Sequence, residues 1–463
     1  MICRETKASA GHAQLRLAAN QKYTSPMNYP VELPITPLPR PPHATVSVPG
    51  SKSITNRALV LAALCSRSGP CTLTGALFSE DTEVMVACLE KLGFEIDADW
   101  TASTVTVHRN TSGRIIPATT ADLYVANSGT TVRFLTAMLA LGEGTFRLDG
   151  VPRMRERPIQ DLLDALTQLG VSATSDTGTG CPPITIRSTG WPNSDGTTVR
   201  ISAEKSSQFL SAVLLAAPFG WGTTRVEVVG EVVSEPYIEM TTRIAFQWGL
   251  IIPADGPRAY DIPAVGGLGW PNEETYPVEP DASSASYFFA AAAINGGTVT
   301  VRGMKRDMLQ GDVKFVDCLQ QMGCEVEYGD DSVTVHGRPL KGIDTDMNPI
   351  SDTVMTLAAV ACFADGPTTI RNVAHIRHKE TDRIAAVATE LRKLGAEVEE
   401  FPDGLRITPR PLTGCAVDTY NDHRMAMSLA LIGLKVPGVV IRNPGCVAKT
   451  YPGFWQDFDA LRG

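Results

Sequence analysis

Basic and hydroxyl residues gather at apolar helix starts in this 463-residue chain, in a pattern suited to holding an anion. Lys52, Ser53 and Arg57 open "SKSITNRALVLAAL"; Asn127, Gly129, Thr130 and Arg133 lie in and just before "SGTTVRFLTAMLAL"; Ser206, Ser207 and Gln208 begin "SSQFLSAVLLAA". A helix N-terminus presents unpaired N–H groups and a partial positive charge. Phosphate or carboxylate is therefore favoured there, and each nearby Lys or Arg adds a charge-assisted bond of about 1.5–3 kcal/mol. Taken singly, each turn is also what an ordinary capped helix needs. The cations point further: the macrodipole disfavours Arg57, Arg133 and Arg424 near the starts of their helices, and an anion at the same place removes the conflict.

Further chemistry lies outside these starts. "PRMRERP" packs Arg153, Arg155 and Arg157 between prolines. "RHKETDR" brings Lys379, Glu380, Asp382 and Arg383 together, with Lys379 and Arg383 expected on one helix face beside Glu380, as a surface ion-pair ladder or as part of a site. Asp352 in "SDTVM" is either the cap of a buried helix or a carboxylate aimed into a cleft. Lys449, in "CVAKTYP", is expected on a loop near the chain end, beside a Cys446 that is either reactive or a bystander. The first stretch is no nucleotide P-loop: Ser51 stands before Lys52, and Ala44, Thr45 and Val46 occupy the region of the first glycine.

Composition narrows the class. A net charge of -9 argues against a general nucleic-acid binder, whose affinity comes from a basic surface. Ten cysteines without a C-x-x-C pair or a secretory signal imply free thiols in a reducing compartment, and seven scattered histidines give no zinc signature. Apolar runs such as "YFFAAAAI" fall far short of the ~20 residues that span a bilayer, so a soluble, cytoplasmic protein is expected. Residues 1–40 are polar and basic, then proline-rich, and are expected to form a flexible extension; plastid-type targeting is the alternative, and Met27 is an alternative start.

Two signatures repeat along the chain and must position these residues. A helix end, a glycine and an alternating strand recur at Gly93, Gly170, Gly249, Gly323 and Gly395, spaced 77, 79, 74 and 72 residues apart. About half a repeat away, a polar turn opens a helix that is apolar nearly all round, beginning at Ser51, Ser128, Ser206, Ser283, Ser351 and Asn421. Such helices must be buried, and short strands such as "STVTVHR", "PPITIRS" and "GTVTVRG" supply their walls. Six units divide most economically into two α/β domains of three units with a site in the cleft, a solenoid being the alternative.

In order along the chain, "PGSKSITNRAL", "NSGTTVRFL", "PRMRERPI", "SSQFL", "DASSASYF", "KETDR", "YNDHRMAM" and "AKTYPGF" resemble the motifs of the 5-enolpyruvylshikimate-3-phosphate synthase family of enolpyruvyl transferases. The resemblance runs from about Val46 to Phe458. It implies two domains, each of three βαβαββ units in an inside-out α/β barrel: 41–49 with 279–463 as one, discontinuous, and 50–278 as the other, closing on substrate. It implies transfer of the enolpyruvyl group of phosphoenolpyruvate to the 5-hydroxyl of shikimate 3-phosphate with release of phosphate, in aromatic amino-acid biosynthesis. No metal or organic cofactor, nucleic acid or membrane is implied, and a monomer is expected.

Carried over by motif, the shikimate 3-phosphate contacts would be Lys52, Ser53, Arg57, Ser206, Ser207, Gln208, Ser234, Tyr237, Asp352, His375 and Lys379. The phosphoenolpyruvate contacts would be Lys52, Asn127, Gly129, Arg157, Gln208, Arg383, Arg424 and Lys449. Asp352 would accept the hydroxyl proton, Glu380 would serve the methylene carbon, and Lys52 would assist at both substrates. "NSGTTVRFL" departs from the common "NAGTAMRPL" at Ser128 and Phe134 while keeping Gly129, so glyphosate sensitivity is expected; His375 stands where some members place asparagine. The rivals are a UDP-N-acetylglucosamine enolpyruvyl transferase, whose reactive-cysteine loop has no counterpart near "PRMRERP", and a non-catalytic anion-binding protein of the same fold.

Overall fold

The structure is a computed structural model that describes residues 29–192, 195–265 and 274–463. The described residues form a mixed α/β fold with six separate sheets, each containing one parallel strand pair. A parallel pair needs a long crossover, and in four sheets a buried helix foreseen above supplies it; in the other two the pairs, Thr275–Pro277 with Cys71–Thr74 and Thr298–Arg302 with His43–Val46, join segments far apart in the chain. In one unit Thr120–Tyr124 runs parallel to Glu143–Asp149 with helix Gly129–Leu139 between them in sequence; Ile184–Thr189 and Ser172–Ser175 then add antiparallel. Strands reading "TVTV" alternate as their side chains must: in Thr104–Val107 both valines are buried and both threonines half-buried.

The six apolar helices form the centres. Lys52–Cys65, Gly129–Leu139 and Ser207–Ala216 pack on one another, as do Ala282–Asn295, Val354–Ala361 and His423–Gly433, with the sheets outside them. Four of the expected starts hold to within a residue, with N-cap positions at Ser51, Ser128, Ser206 and Asp422, the last one past Asn421. Two shift: Asp281 rather than Ser283 caps the fourth helix, and a 3-10 turn, Asn348–Thr353, delays the fifth to Val354. The five repeat glycines follow helix ends with φ of 89°, 82°, 69°, 112° and 103°, the left-handed conformation that lets the chain turn into the next strand.

Buried apolar side chains fall into two clusters. One spans Ile54 to Val278 and admits Leu309; the other joins Ile35, Val46 and Val48 to residues 282–461. The chain passes between them twice, and the passages are bound to each other: Ser51 N–H donates to Glu279 O and Asp281 N–H to Pro49 O, both at 2.8 Å. Gly50 bridges to Pro280 here, and a side chain at Gly50 would collide with the Gly75 carbonyl.

The expectation of a flexible extension to residue 40 needs correction from Tyr29 onward; residues 1–28 lie outside the described residues. Glu32–Pro34 pairs antiparallel with Val440–Arg442, Ile35 N–H donates to Val439 O (2.9 Å), and the Ile35 side chain is buried. The prolines that suggested a loose arm are compatible with a strand at a sheet edge, where a missing N–H costs little.

Candidate active site

Where the two cores meet, side chains from both sides join in one buried ion-pair network. Lys52, in the first turn of its helix, lies 3.3 Å from Asp81, whose other oxygen is 2.7 Å from Lys449 Nζ. Lys449 also donates to Asn127 O (2.9 Å) and stands 3.7 Å from Glu380. Arg157 donates to the same Asn127 carbonyl (2.9 Å) and lies 3.9 Å from Glu380. Arg383 sits at the centre, donating to Glu380 (2.9 Å), Asp352 (3.2 Å) and Asp422 (2.8 Å). Asp352 accepts Arg424 on its second oxygen (2.7 Å) and has Lys379 at 3.9 Å.

Local backbone choices deliver these groups. Ser51 gives its helix no side-chain cap, and its hydroxyl is buried without a hydrogen-bond partner, so the first turn is left with unpaired N–H groups. Ala126 (φ 46°) immediately precedes Asn127, and Tyr420 (φ 53°) and Asn421 (φ 55°) precede Asp422; non-glycine residues hold the left-handed conformation only when their surroundings enforce it. Asp422 then caps helix His423–Gly433 by accepting Arg424 N–H (2.9 Å) while it binds Arg383, so one carboxylate fixes two site arginines.

A second, mostly uncharged set of contacts also joins the cores. Ser234, itself at φ 51°, meets Ser351 Oγ and His375 Nε2, each at 3.1 Å, and its N–H donates to Asn348 Oδ1 (2.8 Å). The Tyr237 hydroxyl faces two carboxylates, Asp312 at 2.7 Å and Asp352 at 3.3 Å. Arg153 donates to the Lys379 carbonyl (3.0 Å), so "PRMRERP" reaches from one core to the other.

The remaining expected residues line the first-core side. Arg57 is buried without an ion-pair partner among the described residues: it donates to Thr241 Oγ1 (2.8 Å) and to the Ser53 (2.9 Å) and Tyr237 (3.1 Å) carbonyls, and lies over Phe134. Ser206 caps its helix by accepting Gln208 N–H, Ser207 is buried beside it, and the Gln208 side chain accepts Arg133 Nη1 (2.6 Å). Gly129 lies against two guanidinium groups, where an added Cβ would stand 2.5 Å from Arg157 Nη2 and 2.9 Å from Arg133 Nη1.

Burial and charge together set the ionisation. Burial pushes Asp352 and Glu380 up, but the surrounding cations outweigh it, Arg424, Lys379 and Arg383 for Asp352 and Arg383, Arg157 and Lys449 for Glu380. Both carboxylates are held well below the usual range. Burial lowers Lys379 to about 8 against the opposing pull of Asp352, and lowers His375 to about 3 with help from Lys379.

The structure decides one open alternative, at Asp352, and departs from two expectations, at Lys379 and Lys449. Asp352 sits in the turn before Val354 and caps no helix; its carboxylate belongs to the network. Lys379 and Arg383 do not share a helix face, because a 3-10 turn ends at His378 and the next helix begins at Arg383 under the Asp382 cap. Lys449 is buried at the end of the 3-10 turn Pro444–Lys449 instead of on a loop, and burial pushes the Cys446 thiol up to about 12, away from the thiolate form that reacts. Asp81, Asp312 and His423 were not singled out beforehand. His423 lies inside the quoted "YNDHRMAM"; Asp81 is one of three acids in the first turn of helix Glu80–Lys91 and looks like ordinary dipole compensation.

Similarity to known proteins covers this geometry from end to end. Residues 39–458 match the model of the family described as EPSP synthase (3-phosphoshikimate 1-carboxyvinyltransferase). A 3-phosphoshikimate 1-carboxyvinyltransferase of Nostoc punctiforme is 49% identical over 429 residues, 92% of this chain and 98% of that protein. One from Shewanella denitrificans is 46% identical over 90% of this chain and 96% of its own length. The solved EPSP synthase of Acinetobacter baumannii superposes with a TM-score of 0.76 at 25% identity, covering 93% of this chain and 98% of that one. With a family match reaching across both cores and nearly half the residues shared with full-length relatives, this chain belongs to the EPSP synthase (3-phosphoshikimate 1-carboxyvinyltransferase) family.

Proposed function

We propose that this chain joins phosphoenolpyruvate to the 5-hydroxyl of shikimate 3-phosphate and releases phosphate, and that the network between the cores is where it does so. The observation that carries the assignment of roles is Asp352: a carboxylate that Arg383, Arg424 and Lys379 keep ionised and so open to a proton, while the same cations restrain its basicity. Lys52, Ser53, Arg57, Ser206, Ser207, Gln208, Ser234, Tyr237, His375 and Lys379 hold shikimate 3-phosphate. Lys52, Asn127, Gly129, Arg157, Gln208, Arg383, Arg424 and Lys449 hold phosphoenolpyruvate.

The step is addition followed by elimination. Asp352 takes the 5-hydroxyl proton as the oxygen bonds to C2 of phosphoenolpyruvate, and Glu380 gives a proton to C3, making a methyl group. Loss of a methyl proton back to Glu380, with cleavage of the C2–phosphate oxygen bond, restores the double bond and frees phosphate, which takes up the proton held by Asp352. Glu380 is ionised in the network, so it must gain a proton first. The two anionic groups of phosphoenolpyruvate draw on Arg157, Arg383 and Lys449, the same cations that hold Glu380 low, and substrate binding thereby raises its proton affinity.

The two apolar cores are proposed to be the two domains, 50–278 and a discontinuous partner in which Ile35 and its strand join 41–49 and 279–463. All the proposed site residues come from one chain, so a monomer suffices. Among the described residues no cysteine is in a disulfide, as a reducing compartment would have it, and no helix is long and apolar enough to cross a membrane.

Mixing the protein with both substrates and a chelator should release inorganic phosphate, and absence of release refutes the activity. UDP-N-acetylglucosamine in place of shikimate 3-phosphate should release none. Asp352→Ala should lower kcat by about 10²-fold or more while changing substrate affinity far less.

A further inference from the structure

Asp312 is a fully buried carboxylate that the transfer above does not use. It enters from the turn Gly311–Lys314, which approaches helix Pro236–Gln247 so closely that a Cβ on Gly311 would lie 2.6 Å from Pro236 Cβ. Its Oδ2 accepts the Tyr237 hydroxyl (2.7 Å) and Gln310 Nε2 (3.3 Å), while Oδ1 is buried with no hydrogen-bond partner among the described residues. Gln310 is itself clamped: Nε2 also donates to Asp281 Oδ1 (2.9 Å) and Ser283 Oγ (2.8 Å), and Oε1 accepts Ala282 N–H (3.1 Å). Asp312 is thereby tied to the start of a core helix beside one passage between the cores. Tyr237 is fixed from the other core, its carbonyl accepting Arg57 Nη2 and Thr241 Oγ1.

The Tyr237 hydroxyl has one proton and two carboxylates to choose from, Asp312 at 2.7 Å and Asp352 at 3.3 Å. We propose that Asp312 is a positioning residue that decides which carboxylate receives the Tyr237 hydroxyl and so sets the basicity of Asp352. The proposal rests on Asp352 being the proton acceptor of the transfer. With Asp312 ionised, the phenol donates to Asp312, and Asp352 keeps Arg424 as its partner on that oxygen. With Asp312 protonated, its own O–H donates to the phenolic oxygen and the phenolic proton turns to Asp352. A hydrogen bond to the ionised form makes Asp352 a weaker base.

Burial and the negative charge of Asp352 push Asp312 up to about 6, which places this exchange just below neutral pH. The other titratable or charged groups acting on it are Arg424, Tyr237 and Asp281. Removing the Asp312 charge should be mild for the fold, because a buried carboxylate with an unpaired oxygen costs stability when ionised.

The test is the pH profile of phosphate release for wild type, Asp312→Asn, Tyr237→Phe and the double variant, with Tm measured on each. Asp312→Asn mimics the protonated state. It should lower kcat at pH 7.5 by about tenfold with both KM values within about twofold, remove the acid limb near pH 6, and leave Tm unchanged or raised. In Tyr237→Phe the same limb should be absent, and adding Asp312→Asn should change kcat by less than twofold. An active wild type with Asp312→Asn matching it in kcat and pH profile overturns the proposal. So does an Asp312→Asn whose lost activity tracks a lowered Tm, or a double variant whose effects multiply. A wild type that releases no phosphate refutes the transfer itself, a separate result.

Discussion

At the residue scale, two side chains carry pH predictions of opposite kinds. Glu380 is ionised among Arg383, Arg157 and Lys449, and its proposed work needs a proton. If phosphoenolpyruvate draws those cations away, its binding to the shikimate 3-phosphate complex takes up a proton near neutral pH. Calorimetric binding heats in buffers of different ionisation enthalpy should therefore show uptake in wild type and none in Glu380→Gln; equal heats across buffers in wild type contradict the mechanism. His375 concerns stability. Buried against Ser234 and near Lys379, it is held to about 3, whereas the unfolded chain protonates it near 6.5. The unfolded state binds the extra proton between those values, so His375 costs nothing well above pH 6.5 and destabilises progressively as pH falls toward 3. Between pH 7 and 5 wild type should lose about 2 kcal/mol more than His375→Asn in urea unfolding, and equal losses would remove His375 as the cause.

At the element scale, Gly129 begins a core helix and stands against two arginines, so the helix start and the placing of both guanidinium groups are set by one position. Gly129→Ala adds a methyl that must displace Arg157 and Arg133 by several tenths of an ångström. The KM for phosphoenolpyruvate should rise about tenfold, that for shikimate 3-phosphate by less than threefold, and inhibition by glyphosate should weaken in parallel with the former. Steady-state kinetics on both substrates checks this, and equal changes in the two KM values contradict it. Elements of this kind were legible in the sequence because their signals are local. A polar turn before an apolar helix marks a core helix, and a glycine between a helix and an alternating strand marks the next turn. Signals that compete locally were misread: the prolines near Pro34 hid an edge strand, and the turn ending at His378 broke the helix expected across Lys379 and Arg383. Asp81 and Asp312 were not legible, because what distinguishes them is a partner far along the chain, Lys449 for one and Tyr237 for the other.

At the scale of the whole molecule, the two cores meet through charge. The connected network sets Lys52, Arg157, Lys379, Arg383, Arg424 and Lys449 against Asp81, Asp352, Glu380 and Asp422, so positive charge exceeds negative in a buried layer. Arg57 and Arg133 lie beyond it, and burial lowers them to about 10 and about 9. Like charges held together in low dielectric repel, and among the described residues Leu309 alone of the buried apolar side chains is grouped with the opposite core, while Gly50 and Pro280 meet on the passage side. An anion that fills the layer removes the repulsion and favours the joined arrangement, so ligand binding and the approach of the cores should be one equilibrium. Shikimate 3-phosphate at about 100 times its Kd should then stabilise the protein by about 2.7 kcal/mol and reduce its radius of gyration in small-angle scattering. Asp81→Asn removes the bridge between Lys52 and Lys449 and adds to the excess of positive charge. It should enlarge the ligand-free radius and make the contraction on binding greater than in wild type. If shikimate 3-phosphate raises Tm while the radius stays constant in both proteins, the charge layer does not govern how the two cores meet.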